Sequence, residues 1–561
     1  MTPSPGILCG RSRPPPPRLD ARPAVRRSLL APALVLACAL LANWPALQGS
    51  FVYDDRAYVV ENPVVQGAAP LWGSALGHAE QALWRPLTVA SWRAQWHPGV
   101  SAEPFLLLNL ILHAATALLV LRLGRRLGLS PWAAAVGAAL FAVHPAHAEA
   151  IAWVTGRSEL LATLLVCAAW WAHLSANRTA AWLALPLLAL ACASKENAFV
   201  APALIGLGQL LSGRRGQPPS PGSRPRLAAL FAVSGGMFLL RASVLPEALP
   251  AEGPYHQTPL AGRAGVALNV VGQAVKLLLA PSPLRIHYDR HELLGAQPTL
   301  LIATAALAMV ALLLWRRQRM LACLLLGVPV ALAPVLHLLP MGEPFAERFL
   351  YLPSVPFCLA AGGLLTLLGR REPRGPGLAV VLTGAALLAG LLASRQAVAV
   401  FRDDLSLWAH AARVAPDLAV VRFNHATFLE RAGRFLSEDE LRPGVADELR
   451  ASLRLHPDHR YAAFAHQTLG HLALGALGTD LPDAVEASRH YHLALEKDPS
   501  LVDARLDLAG IALSRPDVVP LLEAQALAAT LLAEPKLEPE RRMAASQLLL
   551  ELSAAPAAPP R

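Results

Sequence analysis

A helix that crosses a bilayer needs about 20 mostly apolar residues. Runs of roughly that kind fall near 28–47, 104–122, 131–148, 158–175, 180–194, 196–212, 227–245, 298–315, 319–339, 351–369 and 376–394, and they predict eleven spans. The fifth and sixth are short and separated only by Ser194-Lys195-Glu196-Asn197, which predicts a tight hairpin. Residues 262–281 are also apolar enough to span. Counting them, however, puts the basic connector 315–319 on the wrong side, so the Pro281-Ser-Pro283 break and the polar stretch 285–292 favour a re-entrant or interfacial helix. After Arg395 the pattern changes. Pro416-Asp417, His456-Pro457-Asp458 and Asp498-Pro499-Ser500 recur at intervals of 41 and 42 residues, each between two amphipathic stretches. These predict degenerate helical hairpins of tetratricopeptide type, longer than the usual period of about 34 residues.

The predicted fold class is therefore all-α. A disordered cytoplasmic tail (1–27) leads into a polytopic membrane bundle (28–395), followed by a soluble helical-repeat domain (396–555). Composition agrees: 54% of the 561 residues are hydrophobic and 16% are charged, against about 25% charged in a soluble chain. The net charge of +10 does not signal nucleic acid. Its arginines gather in short connectors (Arg122, Arg125, Arg126; Arg214, Arg215, Arg224, Arg226; Arg316, Arg317, Arg319; Arg370, Arg371, Arg374), the positive-inside pattern of a membrane protein. The six scattered cysteines have neither metal-ligand nor paired spacing. The first apolar run is too long for a signal-peptide core and predicts a retained helix.

With the N-terminus cytoplasmic, this topology sorts the unusual polar residues onto the outer face. They lie in the first outer loop (48–103), in segments 144–159, 194–197 and 339–353, and in the loop 246–262. Carboxylates close to hydrocarbon are expensive and usually serve chemistry or ion traffic. Asp54 and Asp55, just past the first run, form an acidic pair able to accept a proton from a hydroxyl, although Asp55 also fits a helix N-cap. Arg85, beside Trp84, supplies a guanidinium whose fork matches phosphate oxygens, or alternatively anchors to headgroups. His144, His147 and Glu149 are placed to position carboxylates or touch a sugar; histidines three apart across a proline are a poor zinc pattern, and no divalent metal is expected. Arg157 is a second phosphate candidate. Lys195 and Glu196 would most simply pair with each other, and Glu343, Glu347 and Arg348 form a further charged patch.

Taken in order, these motifs resemble the transmembrane and tetratricopeptide-repeat-containing O-mannosyltransferases, a branch of the GT-C glycosyltransferases. The resemblance is carried by Phe51-Val-Tyr-Asp54-Asp55-Arg56, Arg85-Pro86-Leu87-Thr88, Leu112-His113-Ala114 and Phe141-Ala-Val-His144-Pro-Ala-His147-Ala-Glu149. Further on it continues with Gly156-Arg157-Ser-Glu159, Ser194-Lys195-Glu196, Glu347-Arg348-Phe-Leu-Tyr351 and the stretch 408–416. It implies transfer of mannose from a polyprenyl-phosphate donor to Ser or Thr hydroxyls on the non-cytoplasmic face. Asp54 or Asp55 would be the base, and Arg85, Arg157 or Arg348 would hold the lipid phosphate. His144, His147, Glu149, Lys195, Glu196 and Glu347 would support them. Acceptor proteins would sit on the repeats. This chain has fewer and less regular repeats than better-known members, and its Ala/Arg/Pro-rich composition suggests a short bacterial member in the inner membrane with periplasmic repeats.

Rival readings are a GT-C enzyme acting on a glycan or lipid acceptor, and a non-catalytic membrane scaffold that recruits envelope proteins. A transporter fits poorly, because its charges would lie near mid-membrane.

Overall fold

The computed structural model describes residues 22–71, 83–212, 222–245, 254–338, 341–369, 377–433, 442–475 and 483–555. The expected tail up to residue 21 lies outside the described residues, as do Arg214, Arg215, Arg370, Arg371 and Arg374. The described residues form helices joined by turns, without strands.

Each of the eleven apolar runs is helical, beginning with Arg22–Asn43, a few residues ahead of its expected start. Among the described residues, five helical stretches can cross a membrane by length and composition: Leu29–Gln48, Glu103–Arg126, Ser223–Val244, Pro298–Trp315 and Gly377–Arg402. A sixth is added if the pair Pro131–Ala142 and Pro145–Ala152, bent by 54°, is one span. Residues such as Ile302, Leu312 and Leu313 on these helices stand exposed, an apolar surface that calls for lipid. The chain is a multi-pass membrane protein. Leu260–Leu279, left out of the sequence count, is one unbroken helix packed against Pro298–Trp315.

Local sequence sets several helix starts. Ser130 accepts from the Ala133 N–H at 3.1 Å with Pro131 in the first helical position, and Asn177 accepts from Ala180 at 3.1 Å, both standard N-caps. Close packing depends on small residues, as in other membrane bundles: a Cβ on Gly362 would lie 2.3 Å from the Ala133 carbonyl oxygen. The predicted tight hairpin does not form. Ala184–Cys192 packs on Arg157–His173 and Ser223–Val244, whereas Ala201–Ser212 packs mainly on Arg319–Leu332. The reason lies in residues 195–197, whose side chains are drawn toward Glu159 and Arg85 and pull the connection open.

Beyond the bundle, eight helices follow one another among the described residues: Asp404–Val414, Ala419–Gly433, Arg442–Leu455, Ala462–Ala473, Ala484–Lys497, Val502–Ser514, Leu521–Leu532 and Pro539–Ala554. Consecutive members pack together. The three Pro-Asp or Asp-Pro motifs all fall in turns between them.

Candidate active site

The polar segments that the charge pattern assigns to one face come together in space, apart from 246–262, much of which lies outside the described residues. Residues 51–56 meet 153–155 through Asp55 and Trp153, whose indole N–H donates to the Val52 carbonyl at 3.3 Å. Arg85 meets Glu196, Glu159 meets Lys195, and Glu149 meets Arg348. Glu347 accepts from the Arg285 backbone N–H at 2.5 Å and from the Tyr288 hydroxyl at 2.8 Å. Gly156 allows this convergence, since a Cβ there would lie 2.5 Å from the Ala150 carbonyl oxygen.

The two aspartates have different environments. Asp55 is fully buried and accepts backbone N–H groups from Val52 (3.1 Å), Val154 (3.4 Å) and Thr155 (2.9 Å). It ties the first outer loop to a segment a hundred residues away. It precedes the short helix Arg56–Val60 but does not cap it with its side chain. Asp54 is half-buried, and its carboxylate accepts no hydrogen bond among the described residues. Burial pushes Asp54 up to about 6; Arg348 pulls the other way and Glu343 adds to the rise. A carboxylate of that basicity, open on one side, is suited to proton acceptance near neutral pH.

The cations are engaged to different degrees. Arg85 makes a two-point contact with Glu196, Nε to Oε2 at 3.2 Å and Nη2 to Oε1 at 2.6 Å, leaving Nη1 unengaged among the described residues. Burial opposes ionisation of Glu196, but Arg85 and Lys195 hold it below the usual carboxylate range. Arg348 donates to Glu149 from its backbone N–H (2.8 Å) and from Nη1. Its Nε and Nη2 have no partner among the described residues, and its guanidinium carbon lies 5.3 Å from the centroids of both Trp153 and Phe349. Arg157 differs from both. It is fully buried and donates to Asn109 Oδ1 (3.0 Å), to the Ser91 carbonyl and hydroxyl (3.2 and 3.3 Å) and to the Phe105 carbonyl (2.8 Å). That enclosure makes it a brace between the first outer loop and helix Arg157–His173 rather than an accessible phosphate ligand.

The supporting residues mostly hold backbone and helices. His144 Nε2 is 3.1 Å from the Leu278 carbonyl oxygen and its Nδ1 accepts from Ala146 N–H. His147 Nε2 is 2.8 Å from the Ser354 hydroxyl. Lys195 and Glu196 do not pair with each other: Lys195 Nζ is 2.6 Å from Glu159 Oε1, both ends buried, and Asn197 also donates to that carboxylate. Neighbours on a turn point apart, so each finds a partner across the site.

Some residues around Asp54 carry no local sequence signal. Arg460 and Tyr461, from the turn before Ala462–Ala473, are electrostatic neighbours of Asp54 and Glu343. Arg460 sits over the Tyr461 ring at 4.5 Å, and Tyr461 stacks on Phe423 at 4.9 Å. The nearest hint was the Pro457-Asp458 turn just before them. As a whole, the site offers one open carboxylate beside guanidinium groups with spare donors, the set required to accept a hydroxyl proton while an anionic oxygen departs.

Among proteins of known sequence, the chain is 33% identical over 276 residues to protein O-mannosyl-transferase Tmtc2 of Drosophila melanogaster, covering 44% of this chain and 29% of the relative. It is 35% identical over 199 residues to protein O-mannosyl-transferase Tmtc1 of the same organism (33% and 23% of the two chains). Over 379 residues it is 26% identical to mouse protein O-mannosyl-transferase TMTC3 (58% and 41%). The matches thus span less than a third of the length of the two fly relatives. No family model and no solved structure matches the chain. Over the matched residues, the chain is similar to TMTC proteins named as protein O-mannosyl-transferases.

Proposed function

We propose that the chain is a membrane glycosyltransferase that moves mannose from a polyprenyl-phosphate donor to Ser or Thr hydroxyls of proteins on the non-cytoplasmic face. The observation that carries this reading is Asp54, half-buried and unpartnered beside Arg348; the names of the relatives support the sugar and the acceptor class. In the proposed step, Asp54 takes the hydroxyl proton as the acceptor oxygen attacks C1 of the sugar. The C1–phosphate bond breaks with inversion, and its electron pair leaves on the lipid phosphate. Spare N–H groups of Arg348 and Arg85 receive that phosphate, and no metal is required. Eleven spans, a cytoplasmic N-terminus and periplasmic repeats in a bacterial inner membrane complete the proposal, with the repeats holding acceptor proteins.

A scaffold that recruits envelope proteins is the second reading. It draws on the pairs Arg85–Glu196, Lys195–Glu159 and Arg348–Glu149, any of which can lock helices together. Radiolabelled mannose from polyprenyl-phosphate mannose separates the two, supplied to membranes carrying wild type or Asp54→Asn at matched expression. Label on protein with wild type and a loss of about 100-fold or more in the variant is expected. Equal labelling by both would remove Asp54 as the base, and labelling by neither would favour the scaffold.

A further inference from the structure

The transfer step leaves one feature of the repeat-like helices unused. Helices Arg442–Leu455, Ala462–Ala473 and Ala484–Lys497 enclose a groove of about 440 Å³. Leu453, Leu469 and Leu493 give it apolar lining. Arg454 and Arg489 also line it, both exposed and neither in an ion pair among the described residues. The other lining cations are already neutralised: Lys497 lies 2.5 Å from Asp458, and Arg450 lies 3.4 Å from Glu486. Two guanidinium groups without ion-pair partners among the described residues therefore flank a trough in which the leucines share the lining with His466, His490 and Glu486.

Two histidines face each other in the groove. His466 and His490 place their Nδ1 atoms 3.0 Å apart, a contact that requires one ring to donate and the other to accept. Burial, followed by His490, Lys497 and Arg489, pushes His466 down to about 4. An anion entering here meets Arg454 and Arg489, which have no ion-pair partner among the described residues, while Glu486 in the same lining is taken up by Arg450.

We propose that this groove binds an acidic polypeptide segment carried by acceptor proteins, with carboxylates on Arg454 and Arg489 and an apolar side chain between them on the leucines. The inference rests on the reading that the chain glycosylates proteins. A concave trough with an apolar lining fits a chain of alternating carboxylate and apolar side chains; a bilayer surface would need a flat or protruding basic face.

The test uses the full chain in detergent micelles and fluorescence anisotropy of labelled peptides. One peptide alternates Glu and Leu, a second has Gln in place of Glu, and each is titrated against wild type and Arg454→Ala/Arg489→Ala. The Glu peptide is expected to bind in a salt-sensitive manner, and the double variant to weaken it about tenfold with unchanged circular dichroism. Equal affinity for both peptides, or no loss in the double variant, overturns the proposal. So does binding of anionic-lipid vesicles that depends on the two arginines while the peptides show no such dependence. Mannosyl transfer to a neutral Ser/Thr peptide, measured in parallel, should be the same in wild type and double variant. Acidic-peptide binding without any transfer leaves the groove standing and removes the glycosyltransferase reading; transfer without acidic-peptide binding does the reverse.

Discussion

The carboxylate of Asp404 accepts a hydrogen bond from the Tyr53 backbone N–H at 2.7 Å, so the first helix after the bundle holds the residue next to Asp54. Arg56 reaches the same carboxylate at 3.4 Å, which places Asp54 between two points of attachment. Tyr53 has φ +48°, a left-handed conformation that a bulky residue adopts only when its surroundings impose it. Those surroundings are Asp404, Trp153 stacked at 6.0 Å and Trp408 edge-on at 5.2 Å. Asp404→Ala releases one of them. We expect turnover to drop by about 10- to 100-fold, as small misplacements of a reacting group do, with KM for the lipid donor little changed. A raised KM at constant kcat would show that Asp404 acts on binding instead.

The pH profile tests Asp54 separately. Its proton-accepting form is the carboxylate, and burial raises its pKa to about 6. Transfer should therefore be full above that value and fall about tenfold per pH unit below it. Single-turnover rates between pH 5 and pH 8 give the answer. A profile flat down to pH 5 would mean that a group of ordinary carboxylate acidity, or none, accepts the proton.

Lys195 and Glu159 form a pair buried at both ends, 3% and 1% exposed. Removing one partner strands the other charge in an apolar setting, which costs about 3–5 kcal/mol. Lys195→Met should thus lower the thermal midpoint in detergent sharply, and Lys195→Met/Glu159→Leu should recover much of the loss. If the single variant melts like wild type, water reaches the pair.

Chelation offers a further check. Both His144 ring nitrogens, His147 Nε2 and both Glu149 oxygens are engaged with protein groups. Transfer in the presence of excess EDTA should match the untreated rate. A loss restored by added Mg²⁺ or Mn²⁺ would place a metal on other groups.

The long apolar runs were legible in the sequence because spanning length and apolarity leave few alternatives, and all became helices. The motifs around Asp54, Arg85, Glu149 and Arg348 were legible as well, since charged residues stand out in an apolar chain. Which aspartate faces outward was not: Asp55 turns inward because three N–H groups, two of them on residues 154 and 155, converge on it. For the same reason Lys195 and Glu196, adjacent in sequence, pair with Glu159 and Arg85. Partner choice among charges is decided by long-range packing, which spacing does not record. Arg460 and Tyr461 were invisible because they reach the site from a separate group of helices.

The Arg85–Glu196 contact bears on selectivity. A bare guanidinium at the edge of a membrane protein would collect any passing anion. With Glu196 already seated on two of its nitrogens, Arg85 yields only by exchange: an arriving phosphate must displace a resident carboxylate or settle for the one nitrogen left over. On the proposed reading, this electrically balanced seat favours a donor whose remaining contacts, a sugar or a lipid tail, are strong enough to complete the exchange.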